Sequence, residues 1–106
     1  MPESEYAVEI FPLAESDLES IYGYYFKESA EAAVAARVTG ELKNAITGLA
    51  FMPKSHAAAS ERRLKKDGFR KLICGDFVIP FLIDEQRRVV SVVRVFHGKM
   101  NYKKYL

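Results

Sequence analysis

A chain of 106 residues, 49 % of them apolar, is the size of one domain, residues 1–106, with its own core. The single cysteine, Cys74, excludes an internal disulfide, no apolar run is long enough to span a membrane, and Met1-Pro2-Glu3-Ser4-Glu5 lacks the basic start of a secretion signal, so a cytoplasmic location is expected. The net charge of +2 conceals a split: residues 1–31 carry eight carboxylates against Lys27, net −7, whereas residues 32–106 carry fifteen Lys and Arg against six acids, net +9. A segregated charge of this kind favours an acidic partner.

In chain order, Tyr6-Ala7-Val8-Glu9-Ile10-Phe11 alternates with the period of a half-buried strand and stops at Pro12. From Leu13 to about Lys27 the apolar residues Ala14, Leu18, Ile21, Tyr22 and Tyr25 recur at helical steps, with Glu15, Asp17 and Glu19 in the first turns, where the helix dipole favours carboxylates. The pattern resets near Ser29. Val34, Val38, Leu42, Ala45 and Leu49 then predict a second, long helix running to Pro53. Gly23, Gly40 and Gly48 fall inside these helices, at about 1 kcal/mol each relative to Ala, and close approach of the two backbones in a helical hairpin is expected to account for them.

Residues 54–67 have no sustained period and read as a surface loop with at most one helical turn. Three β-like runs follow, Phe69–Cys74, Phe77–Asp84 and Arg88–Phe96, joined by Gly75-Asp76 and Glu85-Gln86-Arg87, an antiparallel meander. Pro80 cannot donate to a ladder, so its strand should be an edge or carry a bulge there. The valine-rich last strand is apolar at both parities and should be central, covered on both faces. The fold class expected is α+β: an N-terminal strand, then a helical hairpin packed on an antiparallel sheet.

No phosphate-binding glycine loop and no closely spaced metal ligands occur, and His56 and His97 are the only histidines, so neither a cofactor nor a metal site is expected. Cys74 reads as a small buried side chain rather than a nucleophile. What remains is a basic set: Arg70 and Lys71 opening one strand, Arg94 interrupting the valine strand, and His97, Lys99, Lys103 and Lys104 after it. Arginine grips phosphate or carboxylate bidentately, and His97 with Tyr102 suits proton transfer or base stacking. The plainer reading gives Arg94 a partner carboxylate such as Glu9 and His97 a hydrogen bond capping its strand.

The ordered string Tyr6…Pro12-Leu13-Ala14…Asp17-Leu18…Ile21-Tyr22…Tyr24, Pro53, Gly68-Phe69-Arg70-Lys71, and Val93-Arg94-Val95-Phe96-His97-Gly98…Asn101-Tyr102…Leu106 resembles the RelE/ParE superfamily of toxin–antitoxin toxins over nearly the whole chain. The resemblance implies two alternative activities: inhibition of DNA gyrase in the ParE branch, or ribosome-dependent, metal-independent mRNA cleavage in the RelE branch. Gly68-Phe69-Arg70-Lys71 and Arg94-Val95-Phe96-His97 with Met100-Asn101 look like the ParE pattern, and Phe77-Val78-Ile79 stands where many RelE-type nucleases place an arginine. The resemblance therefore favours a ParE-like, non-enzymatic gyrase inhibitor that binds through Arg70, Lys71, Arg94, His97 and Lys99, assembled with an acidic, partly disordered antitoxin. The nuclease alternative would use Arg70, Arg94, His97 and Tyr102, with Lys54, His56, Arg62, Arg63, Lys65 and Lys66 as further cations near the ribosome and mRNA. A third alternative is a non-toxic, nucleic-acid-binding or degenerate domain, for which the basic patch suffices.

Overall fold

The structure, a computed structural model, describes residues 5–59, 62–100 and 102–106, the last span without the side chains of Tyr102 and Lys103. The order is β1 (Ala7–Ile10), α1 (Pro12–Ser29), α2 (Ala32–Thr47), α3 (Arg62–Lys66), β2 (Arg70–Cys74), β3 (Phe77–Asp84), β4 (Val89–Val92) and β5 (Phe96–His97), with 3-10 turns at Gly48–Ala50, Pro53–Ser55 and Tyr102–Tyr105. α1 begins where Pro12 fixes the first helical position. It ends where Ala30 turns left-handed at φ 56° and returns its N–H to the Phe26 carbonyl. α2 is shorter than expected because the chain tightens into 3-10 geometry from Gly48, and α3 is the single helical turn expected in the loop.

The sheet runs β1-β4-β3-β2, with β5 also paired to β3. β2, β3 and β4 are the antiparallel meander, but β1 joins β4 in parallel, Val8 opposite Val90 and Ile10 opposite Val92, so the sheet is mixed and not wholly antiparallel. The reason is topological: the chain passes through the helical hairpin, β2 and β3 before β4 forms, and enters β4 from the same end as β1. β4 is central, as its valines require.

One sheet face carries Val8, Ile10, Leu72, Phe77, Ile79, Phe81, Val90 and Val92 against Ala14, Leu18, Leu42, Ile46 and Leu49 of the helical layer. Ile79, Phe81, Val90, Val92, Leu49 and Ile46 are wholly buried. This face is the core, and each such aliphatic or aromatic residue contributes about 1.5–3 kcal/mol by leaving water. Val78, Val89 and Phe96, of opposite parity, are also buried, and the Tyr105 ring lies 5.9 Å from that of Phe96.

Two expectations need correction. β3 is an interior strand, so Pro80 does not sit on an edge. A bulge does lie beside Pro80, but on the partner strand rather than its own: between the pairs Phe81–Val92 and Val78–Phe96, residues 79 and 80 oppose 93, 94 and 95. One extra residue therefore interrupts the valine strand beside the proline that has no N–H, and splits it into β4 and β5. On that side the Pro80 carbonyl accepts the Val93 N–H at 3.1 Å, and on the other side the Lys71 N–H turns away to the Ala57 carbonyl. The helical glycines are the second correction. A Cβ added at Gly23, Gly40 or Gly48 meets no atom within 4 Å, so close backbone approach does not explain them, and nothing else in the structure does. Gly98 is the glycine in a crowded place: its N–H reaches the Asp76 carbonyl at 2.7 Å, and a Cβ there would stand 3.1 Å from the same oxygen.

Candidate functional site

The bulge creates the first notable geometry. Freed from the ladder, the Val95 N–H donates to Asp17 Oδ2 at 2.9 Å, and Arg94 grips the same carboxylate bidentately, Nε to Oδ2 at 2.7 Å and Nη2 to Oδ1 at 2.9 Å. Both side chains are about four-fifths buried, at 19 % and 17 % exposure. The guanidinium also lies 4.7 Å from the Phe96 ring centre. The Asp17 hydrogen bonds raise the Arg94 pKa further above its ordinary value, against the smaller lowering effect of burial. Arg94 thus has a partner carboxylate, but it is Asp17 of α1; Glu9 instead accepts the Ser91 hydroxyl at 3.0 Å. Asp17 is committed to this clamp rather than to the dipole of its own helix.

Arg70 is also engaged: its Nη1 donates to the carbonyls of His56 at 2.7 Å and Lys54 at 3.3 Å, tying the 3-10 turn to β2. His97 accepts the Lys99 N–H on Nδ1 at 3.1 Å, and its ring meets Phe77 edge-on at 5.5 Å, the strand-capping role of the plainer reading. Arg70 pairs with Phe81 and His97 with Phe77 on opposite sides of β3, so the two are offset by four residues, about 13 Å, along that strand. Arg70, Arg94 and His97 therefore do not converge on one point with free donors. Lys71 is half-buried and Lys99 exposed. The Tyr102 side chain and all of Asn101 lie outside the described residues.

His97 instead lines a hollow. Ser20, Ile21, Tyr24 and Tyr25 of α1 enclose, with Phe77 and His97, an open, largely apolar groove of about 270 Å³. A second depression of about 290 Å³ adjoins it through Phe77 and His97 and continues past Ile73, Gly98 and Lys99. α1 adds Leu13 (61 % exposed) and Tyr24 (59 %), eleven residues apart and so on one side of the helix, an apolar surface that no described residue covers.

A polar cluster at the other end of the sheet has no counterpart in the sequence reading. Glu85 accepts the Tyr6 hydroxyl at 2.9 Å and pairs with Lys54 at 2.7 Å, while the Arg88 guanidinium sits 4.2 Å over the Tyr6 ring. The hydrogen bonds from Lys54 and Tyr6 hold the Glu85 carboxyl below the usual carboxylate range, and the bond to Glu85 raises Lys54. Its members are far apart in sequence: the pairing of β1 with β4 brings Tyr6 beside Glu85 and Arg88, and the 3-10 turn at Pro53–Ser55 brings Lys54. Burial, with a smaller effect from Glu41, pushes the Cys74 thiol up. Among the described residues no three His, Cys, Asp or Glu side chains are grouped so as to hold a metal ion, and no helix is long and apolar enough to cross a membrane.

An N-terminal strand, a helical hairpin and a mostly antiparallel sheet completed by C-terminal strands form the architecture of the RelE/ParE class of toxins. The solved structures agree. The chromosomal ParDE toxin–antitoxin system from P. aeruginosa contains a chain that matches with a TM-score of 0.75 at 16 % identity, over 91 % of this chain and 99 % of that one. The toxin–antitoxin complex RelBE2 from Mycobacterium tuberculosis contains one that matches with a TM-score of 0.62 at 22 % identity, over 88 % of this chain and 91 % of that one. Within that class, residues 8–102 match the family model described as the ParE toxin of the type II toxin–antitoxin system parDE, and the chain belongs to that family. None of the curated protein sequences compared with the chain matches it.

Proposed function

We propose that the protein is a gyrase-inhibiting toxin, acting by binding and held inactive by an acidic antitoxin. The observation that carries the choice between branches is the engagement of its cations: Arg94 is neutralised by Asp17, Arg70 is held by two carbonyls, and His97 lies about 13 Å along the strand from Arg70. A phosphate-cleaving site requires donors preorganised around one charge-developing centre. Membership of the ParE toxin family supports the same choice. Arg70, Lys71, Arg94, His97 and Lys99 remain the proposed surface, with Arg70 and Arg94 shaping the backbone and His97 and Lys99 meeting the partner.

The solved neighbours are toxin–antitoxin assemblies, and an antitoxin is the occupant proposed for the α1 surface here. An amphipathic segment laid along Leu13 and Tyr24, with one apolar side chain in the His97 groove and carboxylates toward Lys99, would cover the apolar area and match the charge. The expected location is the cytoplasm, where both partners are made.

Induction in cells separates the readings. A gyrase inhibitor relaxes reporter plasmids on chloroquine gels and leaves ribosome-bound messages intact, and co-expression of the antitoxin restores supercoiling. Codon-phased message cuts with normal plasmid topology would reject the proposal in favour of a nuclease. Normal growth and topology without cuts would reject it in favour of a non-toxic domain.

A further inference from the structure

The segment Arg62-Arg63-Leu64-Lys65-Lys66-Asp67-Gly68-Phe69-Arg70-Lys71 carries six cations and one acid. The fold concentrates them. Ala58 bridges Arg70, the Ala59 N–H donates to the Phe69 carbonyl, and the Lys71 N–H donates to the Ala57 carbonyl. The chain on either side of α3 is therefore zipped together along the outer edge of β2, with Leu64 buried and Arg62, Lys65 and Lys66 exposed. None of Arg62, Lys65, Lys66 or Lys71 has an ion pair with another described residue.

A solvated basic turn would be the simplest account, but its own energetics oppose it. Arg62 stands three and four residues before Lys65 and Lys66, the spacings at which like charges on a helix repel. Five residues form too short a helix to be stable without support. Clustering cations there costs local stability, and a polyanion laid on them would offset that cost. The surface is also poor in stacking platforms: among the described residues the exposed aromatic side chains are Phe11, Tyr22, Tyr24, Phe26, Phe51 and Tyr105, and the one aromatic between Arg62 and Cys74, Phe69, is half-buried. Single-stranded nucleic acids are held by stacking as well as charge, whereas a duplex backbone is met by charge alone.

We infer that the α3–β2 edge is a docking surface for the phosphate backbone of duplex DNA. The inference deepens the gyrase reading and rests on it for biological context: the toxin would contact the DNA that gyrase holds, as well as the enzyme.

The test uses the purified full chain without gyrase, binding a fluorescent duplex of about 30 base pairs across a salt series. With four phosphates engaged by Arg62, Lys65, Lys66 and Lys71, the logarithm of affinity should fall with the logarithm of salt at a slope of about −3.6. The triple variant R62Q/K65Q/K66Q should fold, as judged by circular dichroism and thermal unfolding, reduce the slope to about −1, and bind at least about tenfold more weakly at about 0.1 M salt. The control K27Q/K43Q, removing cations on α1 and α2, should bind as the parent does. Absence of salt-dependent duplex binding by the parent, equal losses in the control and the triple variant, or tighter binding of single-stranded RNA of the same length would each overturn the inference. Supercoiling assays run alongside keep the two ideas separate. Duplex binding lost in the triple variant but no effect of the parent on gyrase would leave the DNA surface standing and reject the gyrase reading.

Discussion

Replacing Asp17 by Ala removes one carboxylate that accepts three hydrogen bonds, two from Arg94 and one from the Val95 backbone. Breaking a fully buried ion pair by deleting one partner costs about 3–5 kcal/mol, because the remaining charge stays desolvated. Here each side chain keeps close to a fifth of its surface in water, which places the expected loss at the low end, about 3 kcal/mol. For a chain of this size the urea dependence is about 1.5 kcal/mol per molar, so the D17A midpoint should fall by about 2 M. R94A should cost less, since the Val95 N–H keeps its acceptor. In a double-mutant cycle the two substitutions should couple by at least about 1.5 kcal/mol, as contacting charges do. A D17A loss under about 0.5 kcal/mol would place the pair among ordinary surface ion pairs and refute the view that α1 clamps the bulge.

Gly23→Ala and Gly40→Ala add a methyl group to open space within helices, so each should raise unfolding free energy by about 1 kcal/mol in urea titrations; a loss at either would show a backbone role that the structure does not display. Glu85, whose folded carboxyl lies below the ordinary range, contributes stability that is fully present above the unfolded carboxyl value of about 4.3 and is lost as pH falls through the folded value. The stability gap between the parent and E85Q should therefore stay constant from about pH 7 to 5 and close below about pH 4 at low salt, whereas a gap unchanged at about pH 2.5 would remove Glu85 from the account. Cys74, raised by burial, should react with iodoacetamide at about pH 8 more slowly than free cysteine does, and native and denatured protein alkylating at equal rates would contradict that burial.

Local patterns make much of this fold legible. The β1 and β2 strands, both long helices and the bounds of β3 follow from periodicity and from breakers such as Pro12 and Gly75, because those signals act within a few residues. The central position of β4 follows from valines at both parities. Long-range facts are less accessible. Pro80 announces a disturbance in its own strand, but the extra residue lies on the partner strand, between Val92 and Phe96, and only the full strand order reveals it. Arg94 stands within that bulge, and its partner Asp17 is 77 positions away. In the sequence Asp17 is one of three carboxylates near a helix start, and nothing in its spacing separates it from Glu15 and Glu19. In the Tyr6–Glu85–Lys54 cluster the contact of Tyr6 with Glu85 likewise depends on the parallel β1–β4 pairing, which neither segment encodes alone. For the expected site residues, local pattern conveys the chemistry of Arg70, Arg94 and His97 but not which of them the fold itself consumes.

Titration of the purified protein into gyrase-catalysed supercoiling of relaxed plasmid decides whether gyrase is its target. A gyrase-directed toxin gives a dose-dependent loss of supercoiling, reversed by the antitoxin. Full supercoiling at excess protein, from a preparation that cuts messages on translating ribosomes, would contradict it.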